Sequence, residues 1–312
     1  MIPLALLSLL ACSAHPAPVP DVRLGNVDPV RITSAVDAGW AVKGGKDDPL
    51  APRFGHDPNE PVGPWAVFAD GDGVSVLDQV QARILRYDVD GRPIDAVPIP
   101  SAATFDAVST AQGYGLLVWT PGDDAHWSVE AVDHAGALQS DARVGVDPPT
   151  AVLIDERDGV PHLLVEDRHV ETVDVVTGER FPGRPSGTGW YVSAHKDDLR
   201  DVTLTWSTAD RSETHAVRLV VDRPVVNLVA LDPVGDDVLV GLFLMENTAD
   251  PALADPEIRV VRVDRAGHLQ REFRLPAGVG LDPNRPLALL PDGSVVHLLP
   301  KPDRVTVSRV HP

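Results

Sequence analysis

The sequence predicts an all-β fold built from repeated four-stranded units. Residues 63–100 contain four short runs of strand-forming residues divided by turns rich in aspartate and glycine, the first at residues 70–73. The 30 prolines and 25 glycines of the chain fit a fold with many turns. The fourth run, residues 93–99, contains two prolines, and proline cannot donate to a strand ladder. We therefore predict that this run is the outer edge of its sheet.

A strand that ends in aspartate recurs along the chain at a nearly constant spacing. It reads RILRYD, SVEAVD, HVETVD, HAVRLVVD and IRVVRVD, and a last copy, VTVSRV, stops before its turn. The closing aspartates are separated by 45, 41, 48 and 42 residues: Asp88, Asp133, Asp174, Asp222 and Asp264. A period in the forties with about four strands per copy is typical of a β-propeller, in which sheets pack around an axis. A β-sandwich also has frequent strands, but it does not predict a turn that returns at a fixed period.

We expect six blades of four antiparallel strands, because the third strand of the unit occurs six times. Residues 31–43 add a hairpin-like pair, so seven blades remain the alternative. The copies after the first are predicted at residues 102–146, 148–185, 187–232, 233–282 and 283–312. The last copy lacks a fourth strand, and we predict that the strand-like segment 22–27 completes it and removes an open edge.

The first unit resembles an NHL-type propeller repeat. Its opening Gly-Pro pair is Gly63-Pro64, its third strand begins with Arg83-Ile84, and its Asp-x-x-Gly turn is residues 88–91. Later copies keep the rhythm of strands and turns but lack the Gly-Pro and Arg-Ile pairs. The resemblance implies a propeller over most of the chain and implies no particular activity.

The first residues of the chain predict a signal peptide. Residues 1–11 are apolar, but this run is too short to span a bilayer, which needs about 20 residues. The residues LLAC that end at Cys12 resemble the lipobox of bacterial lipoproteins. The resemblance implies cleavage before Cys12 and lipid attached to it, and Ser13 favours the outer membrane. The alternative is a short buried strand with an incidental cysteine.

After the signal peptide, the sequence predicts a tether and one domain. Residues 12–20 are the lipidated tether, since alanine and proline favour an extended polyproline II conformation. The 43% hydrophobic content suffices for the core of a single propeller, placed at residues 21–312. Cys12 is the single cysteine of the chain, so it cannot form an internal disulfide, but lipid on it would hold the protein on a membrane.

The formal net charge of the chain disfavours nucleic acid as a partner. The formal net charge is −19, and an acidic protein repels the phosphates of nucleic acid. We therefore expect no nucleic-acid partner. The expected protein is a monomeric propeller in the bacterial cell envelope.

Candidate ligand contacts lie where the first strands of the units begin. In propellers these strands line the central channel, and the loops that lead into them form one face. The candidates are aromatic or polar residues near those positions: Trp65, Asp106, Trp190, Tyr191, His56 and Glu60. Aromatic rings there would stack on a sugar or hold a peptide, so the expected partner is a protein, a peptide or a glycan. The alternative is packing between blades, and alanine at a packed tryptophan would cost about 3–5 kcal/mol.

The sequence favours a non-catalytic binding module. It contains no Gly-x-Ser-x-Gly, His-Glu-x-x-His or phosphate-binding glycine motif, so no catalytic residue, metal or cofactor is predicted. The alternative is a calcium-dependent hydrolase similar to the gluconolactonase and paraoxonase group, in which Glu, Asn and Asp hold a calcium ion that polarises a lactone or ester. Asparagine is scarce here, and only Asn227 lies near a predicted first-strand start.

Overall fold

The computed structural model describes residues 18–25, 41–43, 64–144, 152–157, 160–167, 169–246, 255–277, 283–301 and 304–310. In this part of the chain the strands form six sheets, and the one short helix is the 3₁₀ turn Gln79–Gln81. The all-β prediction is therefore confirmed. None of the described helical residues forms a helix long and apolar enough to cross a membrane.

Two short strands come from the N-terminal part of the chain, and the next three sheets follow in chain order. The N-terminal strands are β1 (Asp21–Leu24) and β2 (Ala41–Lys43). Sheet 1 contains β3 (Ala66–Asp70), β4 (Gly73–Asp78), β5 (Arg83–Tyr87) and β6 (Pro93–Pro98). Sheet 2 contains β7 (Thr104–Thr110), β8 (Gly113–Thr120), β9 (His126–Asp133) and β10 (Leu138–Val144). Sheet 3 contains β11 (Val152–Arg157), β12 (Val160–Asp167), β13 (Glu171–Asp174) and β14 (Arg180–Phe181).

The last three sheets also follow in chain order, and two of them receive an N-terminal strand. Sheet 4 contains β15 (Arg184–Pro185), β16 (Tyr191–Lys196), β17 (Asp201–Ser207) and β18 (Thr214–Val221), with β1 at its outer edge. Sheet 5 contains β19 (Val225–Val234), β20 (Asp237–Leu244), β21 (Glu257–Asp264) and β22 (Leu269–Pro276). Sheet 6 contains β23 (Leu287–Leu289), β24 (Val295–Lys301) and β25 (Arg304–Val310), with β2 at its outer edge.

The recurring aspartates close the third strands and organise the turns that follow. Asp88 accepts hydrogen bonds from two backbone N–H groups of its turn at 2.9 and 2.8 Å, and Asp133 makes the same pair of bonds at 2.9 Å. Asp174 and Asp264 also accept from N–H groups of their turns. This is why aspartate is suited to the position: its side chain replaces a backbone acceptor. Asp222 differs, because the chain passes from it almost directly into the next sheet.

Hydrophobic clusters join neighbouring sheets into a ring. Separate clusters of buried aliphatic and aromatic side chains join sheets 1 and 2, sheets 4 and 5, and sheets 5 and 6. Another cluster joins sheet 6 to sheet 1 through Leu298 and Val307 on one side and Val67 and Val76 on the other. Since the last sheet packs on the first, the propeller arrangement is confirmed. The prediction that residues 93–99 form an outer edge is also confirmed, because β6 lies at the end of its sheet.

The prediction that residues 22–27 complete the last sheet is wrong. Strand β1 pairs in parallel with β18, with Val22 opposite Leu219. An N-terminal strand does complete sheet 6, but it is β2, which pairs antiparallel with β25. The physical reason is that the chain leaves three residues, 222–224, between β18 and β19, so sheet 4 has no outer strand of its own.

The predicted boundary between the fourth and fifth copies is also wrong. Asp232 and Pro233 do not close a copy, because they lie inside β19, and sheet 5 begins at Val225. Strand β19 is an edge of its sheet, where a proline is tolerated. The predicted hairpin at residues 31–43 is described only at β2, which belongs to sheet 6, and the blade number stays a prediction.

Candidate functional site

Four aromatic rings lie in a row that starts at the junction of sheets 1 and 2 and continues across the end of sheet 2 to its other face. Trp65 precedes β3 and meets Phe105 of β7 edge to face, with ring centroids 5.6 Å apart. Phe105 meets Trp127 of β9 at 4.9 Å, and Trp127 meets Trp119 of β8 at 5.1 Å. All four residues lie at the end of the sheets where the first strands begin. We call Trp65, Phe105, Trp127 and Trp119 the aromatic row.

The local structure of β7 explains how Phe105 joins the row. The register between β7 and β8 shifts between Thr104 and Asp106, which leaves Phe105 as an extra residue in the strand. Such a bulge changes the direction of a side chain relative to regular pleating. Trp119 and Trp127 need no such device, because they are directly opposite each other on β8 and β9.

The aromatic row combines exposed ring surface with unpaired donors. Trp65, Phe105 and Trp119 are partly exposed, whereas Trp127 is 4% exposed. The buried indole N–H groups of Trp65 and Trp127 have no hydrogen-bond partner among the described residues. An unpaired buried donor costs about 1–3 kcal/mol, so these two groups lower the stability of the packing around them.

An ion pair from the far end of the chain lies beside the row. Arg285, just before β23, donates from Nη2 to Asp106 Oδ2 at 2.7 Å. Its backbone bridges to sheet 1, since its N–H donates to the carbonyl of Trp65 at 3.2 Å and its carbonyl accepts from Val67 at 3.0 Å. Asp106 is fully buried, so any effect of this predicted site residue on a ligand passes through Arg285.

A second polar network holds sheets 1 and 2 together at the other end of β3. The Asp70 carboxylate accepts hydrogen bonds from Ser75 at 2.8 Å, Ser109 at 2.7 Å and Tyr114 at 3.1 Å. Burial acts to raise the pKa of Asp70, but the bonds from both serines and the charge of Arg86 outweigh it and lower that pKa. Burial, together with the charge of Asp70, raises the pKa of Tyr114, so its hydroxyl remains a donor.

Trp190 and Tyr191 lie elsewhere, in contacts between other sheets. Tyr191 is buried and stacks on Phe181 of sheet 3 at 5.2 Å. Trp190 is partly exposed, meets His215 at 5.3 Å and lies 4.4 Å from the guanidinium of Arg265 in sheet 5. The structure therefore brings Trp65 and Asp106 together and places Trp190 and Tyr191 in contacts between other sheets. His56, Glu60 and Cys12 lie outside the described residues.

Sequence reasoning missed Phe105, Trp119, Trp127 and Arg285. The two tryptophans had a usable signal, because they flank the short turn TPGDDAH and such residues face each other in a hairpin. Phe105 had none, since the bulge that turns it is visible only in three dimensions. Arg285 reaches the site because the last sheet packs on the first, and the sequence pattern of one repeat does not show that contact.

The described residues include no group of three or more His, Cys, Asp or Glu side chains arranged to hold a metal ion. Asn227, the asparagine nearest a first-strand start, accepts a hydrogen bond from the backbone of Leu228 at 2.9 Å. Its side-chain oxygen is therefore engaged with its own strand. The chemistry that the aromatic row offers to a ligand is stacking on its partly exposed rings.

No protein-family model matches the sequence, and no curated protein matches it either. Among solved structures, a DUF4221 family member from Bacteroides vulgatus is 10% identical, with a TM-score of 0.49, and the match covers 87% of this chain and 96% of that one. A Bacteroides fragilis protein described as exported is 9% identical, with a TM-score of 0.49 and coverage of 95% and 100%. Streptogramin B lyase is 10% identical, with a TM-score of 0.45 and coverage of 88% and 99%. Because these TM-scores lie below 0.5, the propeller assignment rests on the sheet order and packing of this chain.

Proposed function

We propose that this protein is a non-catalytic binding module of the bacterial cell envelope, whose ligand binds at the aromatic row. The observation that carries the proposal is the row itself: contiguous rings, three of them partly exposed. A row of rings is the surface that binds the face of a sugar or an aromatic side chain.

The ligand class follows from the chemistry of the site. Arg285 adds a cationic group beside the rings, although most of its charge is engaged by Asp106. The net charge of −19 disfavours nucleic acid, so the partner is a protein, a peptide or a glycan. The repeat pattern of sheet 1, which resembles an NHL-type repeat, supports a binding role, because propellers of repeated units present rigid faces to partners.

The proposal includes a lipid anchor at Cys12. The apolar leader and the LLAC sequence support cleavage before Cys12, and Ser13 supports the outer membrane as the destination. A multiply acylated cysteine holds a protein stably on a bilayer, since each buried methylene contributes about 0.8 kcal/mol. The propeller itself is monomeric in this proposal.

Replacing the cysteine tests the anchor. When the chain is produced in a bacterial host fed with labelled palmitate, we expect label in the wild type and in Ser13→Ala, and none in Cys12→Ala, because only the thiol of Cys12 accepts the lipid. The mass of the N-terminal peptide gives an independent readout. An unlabelled wild-type chain, or a labelled Cys12→Ala chain, would contradict the anchor.

A further inference from the structure

We infer that β1 fixes the anchored end of the chain to the rim between sheets 4 and 5, across the ring from the aromatic row. The row then faces away from the bilayer and meets a partner on the aqueous side. The inference rests on the proposed function for the identity of the anchor. The position of β1 is independent of it.

Strand β1 replaces a missing strand of sheet 4. The three residues between β18 and β19 leave no room for an outer strand, and β1 takes that position in parallel with β18. Backbone bonds extend past both of its ends: Arg218 donates to the carbonyl of Pro20 at 3.0 Å, and Asp222 donates to that of Leu24 at 3.2 Å. Strand β1 is thus part of the sheet.

Side chains on both faces of β1 hold the strand in place. Val22 and Leu24 are buried in the cluster that joins sheets 4 and 5. On the opposite face of the strand, Asp21 accepts two hydrogen bonds from the Arg218 guanidinium at 3.0 and 2.9 Å. Gly25 has a φ of +137° and lies so close to Asp222 that a β-carbon there would be 2.5 Å from its Cγ. The end of β1 is therefore packed closely against Asp222.

Sheet 5 covers the start of β1 in the way that sheet 2 covers the end of the fourth strand of sheet 1. The turn of sheet 5 lies over Pro20, since a β-carbon on Gly267 would be 3.2 Å from the proline ring. In the same way, a β-carbon on Gly136 in the turn of sheet 2 would lie 3.1 Å from the ring of Pro98 at the end of β6. The two glycines have φ values of +87° and +86°. Pro20 is thus held at the junction of sheets 4 and 5.

Sheet 3 on one side and sheet 6 on the other separate the junction of sheets 4 and 5 from the junction of sheets 1 and 2. Residues 13–20 reach at most about 28 Å when fully extended, at about 3.5 Å per residue. A compact domain of this length measures about 50 Å across. The tether therefore keeps the rim at Pro20 near the bilayer, whereas the aromatic row lies on the distant side.

Two matched probes test the orientation. Leu138 and Leu269 occupy the same place in the related segments VDHAGALQ and VDRAGHLQ, with exposures of 53% and 41%. In both segments the following glutamine donates to the turn aspartate. Leu269→Cys lies beside the anchor junction, and Leu138→Cys lies at the same place on the rim of sheet 2. A fluorophore on each cysteine is read in the lipidated full chain on vesicles that carry a headgroup quencher.

We expect several-fold stronger quenching at position 269 than at position 138. Equal quenching, or stronger quenching at position 138, would overturn the inference while leaving the lipid anchor intact. If Cys12 carries no lipid, the proposed anchor fails separately. The two probes are then read in Cys12→Ala chains with a histidine tag inserted after Ser13, bound to a nickel-chelating lipid. The same contrast is expected there, and its absence would again overturn the inference.

Discussion

Replacing Arg259 with methionine is expected to lower the free energy of unfolding by about 3–5 kcal/mol, because it removes a fully buried cation from beside Asp222, Glu257 and Glu272. Arg259 lies on β21, and its side chain is fully buried. Its guanidinium bonds Asp222 and Glu257, each at 2.5 Å, and lies 3.5 Å from Glu272. Urea unfolding of the wild type and the variant measures the difference.

The loss of unfolding free energy in Arg259→Met, called the deficit below, is expected to depend on pH. Burial raises the pKa of Glu272, although the charges of Arg259 and Arg274 act against the rise. A raised pKa means that the folded state binds the proton of Glu272 more tightly than the unfolded state does. Glu272 therefore lowers the free energy of unfolding most when the pH is above its folded pKa. Loss of Arg259 raises that pKa further. The deficit should therefore be largest near neutral pH and decrease towards about pH 5.

A matched control lies on the same strand. Arg262 is 35% exposed and pairs with Asp237 at 2.8 Å, so Arg262→Met is expected to cost less than about 1 kcal/mol. Equal losses in the two variants would show that burial of Arg259 is not the cause. So would a loss in Arg259→Met that does not change with pH.

Replacing Asp70 with alanine is expected to cost about 3 kcal/mol, because three hydroxyl donors and Arg86 lose a shared acceptor at the junction of sheets 1 and 2. The pKa of Asp70 is lowered, so its carboxylate contributes to the free energy of unfolding when the pH is above the ordinary pKa of an aspartate. That contribution is lost as the pH falls through the folded pKa of Asp70. The difference between wild type and Asp70→Ala should therefore shrink only in strong acid. Thermal unfolding across a pH series measures it.

Asp95→Ala is the control for Asp70→Ala. The Asp95 side chain is half exposed and bonds Arg86 at 3.2 Å, so its removal is expected to cost less than about 1 kcal/mol. If Asp70→Ala were no more destabilised than Asp95→Ala, the network at this junction would not be what holds the two sheets together.

The repeat was readable from the sequence because one interaction imposes it. An aspartate that accepts N–H groups of the following turn must close the third strand, and Asp88, Asp133, Asp174 and Asp264 do so. The period of these residues therefore located the third strands. Strand β6 was readable for a similar reason, since its prolines fit only an edge.

The N-terminal strands were not readable, because their partners are remote in sequence. The alternation in VRL indicates a strand but does not say which sheet has an open edge. That depends on the three-residue connection after β18, which interrupts the regular copy at Asp222. The aromatic row was half readable: Trp65 and Asp106 were predicted from their place near first-strand starts, whereas Phe105 depends on a bulge and Arg285 on ring closure.

Binding of labelled protein to peptide and glycan arrays tests most directly whether the ligand binds at the aromatic row. Three variants are compared with the wild type: Trp65→Ala and Trp119→Ala at the two ends of the aromatic row, and Trp190→Ala in sheet 4. Thermal unfolding first establishes that each variant is folded. Trp190 serves as the control because it is also a partly exposed tryptophan in contact with other rings.

We expect the wild type to bind a defined set of peptides or glycans. Trp190→Ala should bind the same set, and both variants of the aromatic row should lose it, because removal of either ring shortens the stacking surface. Two results would contradict the assignment of the ligand site to the aromatic row. One is full binding by folded Trp65→Ala and Trp119→Ala, and the other is loss of binding in Trp190→Ala alone.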